Sequence, residues 1–252
     1  MPAKNRIQGI VIRQQPLGEA DVIIGLVSAE EGLLDVLARG ARKSSKRLAG
    51  GVSLFTEISA ITEQARGKLA NVKESSLLAQ FLPETPSYGQ LALASYAAEL
   101  ATHAAQPSHA DPALYDWLRA SLQLVGTVDE HALRTPRLAL EVGFLQALGA
   151  FPDVQSCVQC GQSTAQGAQW LDADVGVLCQ LCAQPRAELL PPELMRALVL
   201  WSLAPAEPPL EPLPPSAGLR VAEQRIAALI QHAVPVPLRS ARALADVTRF
   251  EM

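Results

Sequence analysis

The sequence predicts an α+β protein in three parts: a small N-terminal β-barrel, a helical body, and a compact insert built on four cysteines. Three observations carry this. Residues 1–80 alternate apolar and polar side chains in short runs separated by turn residues, the pattern of half-buried strands. Beyond Pro83 and Pro86 the apolar spacing changes to that of amphipathic helices. The only four cysteines of the chain fall together between positions 157 and 182, inside the helical half.

The strands come in order. Ile7 to Arg13 alternates, with Ile10 and Ile12 on one face, and Pro16-Leu17-Gly18 is expected to turn the chain. Ala20 to Ser28 is a second strand, and Glu30-Glu31-Gly32 leads into a third, Leu33 to Ala38. Leu54 to Thr62 and Leu69 to Ser76 supply two more around an Arg66-Gly67-Lys68 turn. Five short strands with one long connection, between the third and the fourth, fit an OB-fold; an SH3-like barrel would give a similar string.

The helices follow. Gln90 to Ala105 is rich in Ala and Leu. Asp111-Pro112 has the form of an N-cap followed by proline at the first helical position. Leu114, Trp117, Leu118, Leu122 and Val125 then form one apolar stripe, which Gly126 is expected to end. Leu138, Val142 and Leu145 form another, with Leu140, Phe144 and Leu148 beside it and Gly149 as its stop. Past the cysteines, Pro191-Pro192 opens a helix carrying Leu194, Leu198 and Trp201. Six prolines between Pro205 and Pro215 make an extended connector. Leu219, Ala222, Ile226, Leu229 and Ala233 mark a further helix, and Leu238 to Phe250 allows one more. Expected boundaries are 1–80 for the barrel, 81–154 with 184–252 for the helical domain, and 155–183 for the insert.

The insert reads Cys157-Val158-Gln159-Cys160, eighteen residues, then Cys179-Gln180-Leu181-Cys182. Two C-x-x-C pairs at this spacing match a four-cysteine zinc site. Each pair offers two thiolates from one tight loop, and zinc takes four such donors in a tetrahedron. Gly161 and Gly176 stand where the two loops bend, and Trp170 to Leu178 has the form of a short hairpin. A catalytic zinc keeps an open position beside three protein ligands. Four thiolates close the site, so one structural zinc is expected, held by Cys157, Cys160, Cys179 and Cys182.

A net charge of -4 hides an uneven distribution. Residues 1–80 hold eleven Lys+Arg against eight Asp+Glu, and residues 81–252 hold ten against seventeen. Such asymmetry points to a basic binding module beside an acidic body. The long connection carries five cations in nine residues, Arg39, Arg42, Lys43, Lys46 and Arg47, set among glycines and serines, with Lys68 later in the sequence. On an OB-like barrel this composition suits the phosphate backbone of a nucleic acid. Phe55 is the only aromatic residue before Phe81, which favours backbone grip over base reading. The bland alternative is a solvated loop.

No catalytic residues are expected. His103, His109, His131 and His232 are scattered, and there is no Walker loop, no G-x-S-x-G and no H-x-E partner for the cysteines. The sequence has no uncharged apolar run of membrane-spanning length and no signal-peptide pattern at its start. A cytoplasmic protein without a membrane partner is therefore expected.

Taken together, these residues resemble the bacterial recombination mediator RecO family over nearly the whole chain. The likeness lies in Gly18-Glu19-Ala20-Asp21-Val22-Ile23, in Gly32 followed by Arg39-Gly40-Ala41-Arg42-Lys43 and Ser45, and in Tyr96-Ala97-Ala98-Glu99-Leu100. It continues through Leu140-Glu141 to Leu148-Gly149, Pro152 to Gly161, and Leu238-Arg239-Ser240-Ala241-Arg242. Leu17 departs from it, since that position is often aromatic in the family. The resemblance implies a non-enzymatic, nucleoid-associated protein that binds single- and double-stranded DNA and anneals complementary strands. It implies partners too: RecR, the single-stranded-DNA-binding protein (SSB), and indirectly RecA, placed on SSB-coated strands. Arg239 and Arg242 are candidates for an acidic SSB tail. The competing readings are a zinc-dependent enzyme acting on nucleic acid and a zinc-ribbon scaffold that binds only protein.

Overall fold

The computed structural model describes residues 3–41, 52–64, 69–129, 132–172, 175–204 and 213–248. They fall into two compact units, Met1–Gly126 and Thr127–Met252.

The first unit begins with five strands: β1 (Ala3–Leu17), β2 (Asp21–Ser28), β3 (Gly32–Ala38), β4 (Thr56–Gln64) and β5 (Ala70–Gln80). They close in the order β1-β2-β3-β5-β4. All neighbours are antiparallel except β3 and β5, which meet in parallel through Val36 with Ala70 and Leu37 with Asn71. The parallel closure and the long β3–β4 connection give the OB topology the sequence predicts. Alternation supplies the interior: Ile7 and Val11 from β1, Val22, Ile24 and Leu26 from β2, Val36 and Ala38 from β3, Ile58 and Ala60 from β4, and Val72 from β5. Ile10 and Ile12 are buried too, but outside that cluster, on a strand that the first helix packs against.

One expected turn is strand instead. Pro16 pairs with Val22 and Leu17 with Asp21, so the chain reverses over 18–20. Proline's fixed φ is compatible with a strand end, and the ladder here has only its terminal pairs left to make.

Two helices complete the unit. α1 (Tyr88–Ala104) starts on a capping box in which Ser87 and Gln90 each bond the other's backbone N–H. α2 (Pro112–Thr127) starts where Asp111 accepts from the Leu114 N–H at 3.0 Å. Its stripe is buried as expected, Leu114, Leu118, Leu122 and Val125 completely. Gly126 does not end the helix, which runs through Thr127. It serves a close approach: a Cβ at Gly126 would stand 2.1 Å from the Phe81 carbonyl oxygen.

The second unit is helical around the cysteines. α3 (Arg134–Ala147) packs on α4 (Pro192–Leu203) and α5 (Ala217–Ala233); α6 (Arg239–Thr248) ends it. Leu138, Val142 and Leu145 are completely buried on α3, as are Leu198 and Trp201 on α4 and Ala222 and Ile226 on α5. Arg134 grips Glu223 with two bonds of 2.7 Å, and Arg137 joins them, which fixes α3 against α5. Of the proline-rich connector, positions 205–212 lie outside the described residues.

Candidate functional site

The cysteine centre is built by two backbone loops and a small hairpin. β6 (Ala168–Trp170) and β7 (Val177–Cys179) pair antiparallel, and β7 ends on the third cysteine. A bridge between Cys157 and Val177 lays the first loop alongside β7. In that loop the Gly161 N–H donates to the Cys157 carbonyl at 2.8 Å, and Gly161 has φ of +71°, which a side chain would resist. In the second, the N–H groups of Cys182 and Ala183 donate to the Cys179 carbonyl at 3.0 and 2.9 Å. Both turns aim their thiols into one space.

All four Sγ atoms lie within 4.8 Å of one another. Cys160 and Cys179 are 3.7 Å apart, close to the edge of about 3.8 Å for a tetrahedron with metal–sulfur bonds of about 2.3 Å. No cysteine is in a disulfide. The electrostatics ask for a cation. Burial opposes ionisation of Cys157, yet the backbone N–H groups of Cys179, Cys160 and Gln159 bring its thiol down to about 6. Hydrogen bonding with Cys160, then burial, then Cys179, pushes Cys182 up to about 12. One thiolate is welcome there; four repel one another unless a dication neutralises them. The donor set of four thiols fits a metal ion.

The basic connection is described only at its ends. Arg39 is exposed at the end of β3. Arg42, Lys43, Lys46, Arg47 and Lys68 lie outside the described residues. The ends themselves are fastened to the barrel. The Gly40 N–H donates to Asp21 at 2.9 Å, and Ala41 and Val52 pack against the barrel interior. The Gln14 side chain donates to the Val52 carbonyl, and the Phe55 N–H to the Val11 carbonyl at 2.8 Å. Lys73 is held by Glu63 at 2.6 Å. Arg239 and Arg242 are exposed on α6.

Sequence reasoning missed one polar cluster. Glu57, 3% exposed, accepts from Gln8 at 2.7 Å, Tyr115 at 2.8 Å and Arg119 at 3.0 Å. Burial opposes ionisation of Glu57, but these donors together hold its pKa below the ordinary value. Burial, and then the bond to Glu57, raises Tyr115. The cluster ties β1 and β4 to α2. Its trace in the sequence was slight, a glutamate among the mixed polar and apolar residues of β4.

A closed five-strand barrel of OB topology followed by helices, with a four-thiol centre that could hold a metal ion, defines an α+β protein with an N-terminal OB-like barrel. Known proteins make the assignment specific. Residues 1–81 match the family model "Recombination protein O N terminal", and residues 86–241 match "Recombination protein O C terminal". The chain is similar to "DNA repair protein RecO" of Anaeromyxobacter sp. (strain K), 32% identical over 96% of each chain. It is also similar to the protein of that name from Myxococcus xanthus (strain DK1622), 27% identical over 94% of this chain and 96% of the relative. A third, from Listeria monocytogenes serotype 4a (strain HCC23), is 28% identical over 70% of this chain and 68% of the relative. The chain therefore belongs to the recombination protein O family, and its role lies in DNA repair and recombination.

Proposed function

We infer that the protein is a recombination mediator without enzymatic activity. It binds single- and double-stranded DNA through the barrel, with Arg39, Arg42, Lys43, Lys46, Arg47 and Lys68 on phosphates. It anneals complementary strands and, with RecR, promotes RecA loading on SSB-coated strands. Family membership supports the mediator role. The observation that carries the DNA surface is the five-cation segment 39–47, which lies in a connection whose described flanks, Gly40-Ala41 and Val52, are fastened to a barrel of OB topology. The division of labour follows the expected boundaries: 1–80 for DNA, 155–183 as an insert, the remaining helices for partners. One zinc ion, held by Cys157, Cys160, Cys179 and Cys182, acts there as a structural staple and supplies no chemistry. No helix among the described residues is long and apolar enough to cross a membrane. That fits a protein working on the nucleoid in the cytoplasm.

The test is DNA affinity against salt, with full-length protein and two unrelated oligonucleotides. If all five cations of 39–47 touched a single strand, the log–log slope from this segment would be about -3.5, at roughly -0.7 per contact. Replacing one of Arg42, Lys43 or Arg47 by Ala should weaken binding to both oligonucleotides alike and reduce the slope by somewhat under about one unit. Variants with unchanged affinity and slope would return the segment to the status of a solvated connector.

A further inference from the structure

The four thiols of the centre are not equally accessible. Cys157 is 2% exposed and Cys179 5%, Cys182 is half-buried, and Cys160 is open to solvent. Its surroundings are open as well: Val158 is exposed, and so is Leu181 in the facing loop. Cys160 is therefore the residue of the four that a small oxidant reaches most readily. Behind its sulfur, 3.7 Å away, stands the buried thiol of Cys179, from the other loop. The apolar cluster directly at the thiols is small: Cys157, Leu178 and Cys179, with Leu171 and Cys182 packed against it.

We propose that the centre is a peroxide-sensitive modification site, in which Cys160 is the residue attacked and Cys179 the residue that closes on it; this rests on the reading of the centre as a zinc site. The Cys160 thiolate attacks one oxygen of hydrogen peroxide: an S–O bond forms, the O–O bond breaks, and hydroxide leaves. The Cys179 thiolate then attacks the Cys160 sulfur: the S–S bond forms, the S–O bond breaks, and a second hydroxide leaves. Two thiolates are oxidised by two electrons in all, and one peroxide is reduced to two waters with two protons from solvent. Only Cys157 and Cys182 would then remain as thiolate donors, too few to hold a zinc ion that four had held.

The consequence reaches past the metal. A cleft of about 560 Å³ runs between the first cysteine loop, with Ser156, Gly161 and Thr164, and α4, with Met195, Arg196 and Leu200. One wall of it belongs to the segment that the metal holds. Oxidation at Cys160 dismantles that wall and leaves α4 in place.

The experiment uses the full-length protein as purified, with zinc counted first. Hydrogen peroxide is added at one equivalent. Zinc release is followed with a chromogenic chelator, while dimedone traps the sulfenic acid and peptide mass spectrometry locates both adduct and disulfide. The expected result is first trapping on Cys160, a Cys160–Cys179 disulfide, and one zinc released per peroxide consumed. Cys160→His retains a metal-binding donor set that peroxide does not attack at that position, and should slow release by at least about tenfold. Should that variant fail to hold zinc, the trapping map of the wild type decides alone. First trapping on Cys157, Cys179 or Cys182 overturns the proposal, as does a disulfide elsewhere, a Cys160→His variant that releases as fast, or zinc that stays bound. A protein that carries no zinc before peroxide overturns the zinc reading itself, a different outcome from zinc bound and retained.

Discussion

The barrel closes around ten buried side chains, from Ile7 and Val11 to Val72, while the cysteine segment's own cluster has three, two of them cysteines. In the barrel, register and alternation bring apolar surface together, and each residue contributes a share of the burial energy. In the segment, two tight turns bring four thiols together, and on the proposed zinc reading its stability depends on what those thiols hold. The difference teaches where each region can be broken. A barrel of this kind fails gradually, as its interior is eroded side chain by side chain. A ligand-held segment fails at once, when the ligand goes.

The largest expected effect is on the segment. Apparent binding energies on the order of 10–16 kcal/mol at structural zinc sites are folding energy. Chelation, or Cys157→Ser, should therefore unfold the region from Gln155 to Leu190. Amide hydrogen exchange there should lose its protection, and Trp170, 2% exposed and edge-on to Phe151, should shift its fluorescence to the red. Protection in β1 to β5 should persist. Equal loss in both regions would abolish the contrast.

The complementary experiment erodes the barrel. Leu26 is completely buried in the barrel interior. Leu26→Ala should cost about 2–5 kcal/mol in denaturant unfolding of the first unit, the range for a leucine removed from a packed core. Metal content should not change. Metal loss in Leu26→Ala would show that the two regions share one cooperative transition.

The sequence displayed these two regions with unequal clarity in their details. Cys157-x-x-Cys160 and Cys179-x-x-Cys182 were legible because each pair is local, and a metal centre explains both at once. The strands were legible through alternation, but not their ends. Pro16 and Leu17 belong to β1 because Val22 and Asp21 lie opposite them, a fact of pairing that no local signal contains. Gly126 looked like a helix stop, yet it is spaced for the Phe81 carbonyl, 45 positions away by the numbering of the chain. The cations of 39–47 were legible as composition, and composition alone does not place a phosphate. Least visible was Glu57, whose partners Tyr115 and Arg119 stand 58 and 62 positions away.

That glutamate gives the sharpest and smallest test, because it is a place where the barrel depends on charge within its packing against α2. Glu57 is ionised, buried, and satisfied by Gln8, Tyr115 and Arg119. Its folded pKa lies below the ordinary 4.5, so its ionised form is favoured by folding. The stability this brings is fully present above the unfolded pKa and is lost as pH falls through the folded one. Glu57→Gln keeps the size but removes the charge, and it turns an amide N–H toward donors. The Arg119 side chain is 41% exposed, so the ion-pair part is screened and most of the loss comes from the buried bonds. The cost should be about 1–3 kcal/mol near neutral pH. It should shrink as pH falls below 4.5, because the unfolded chain takes up a proton there before the folded carboxyl does, and the charge contribution is gone once pH has passed below the folded pKa. Denaturant unfolding of wild type and Glu57→Gln across that range measures it. A cost that stays constant through the acid range would mean the bonds matter and the charge does not, and the barrel would then be held by packing and neutral hydrogen bonds alone.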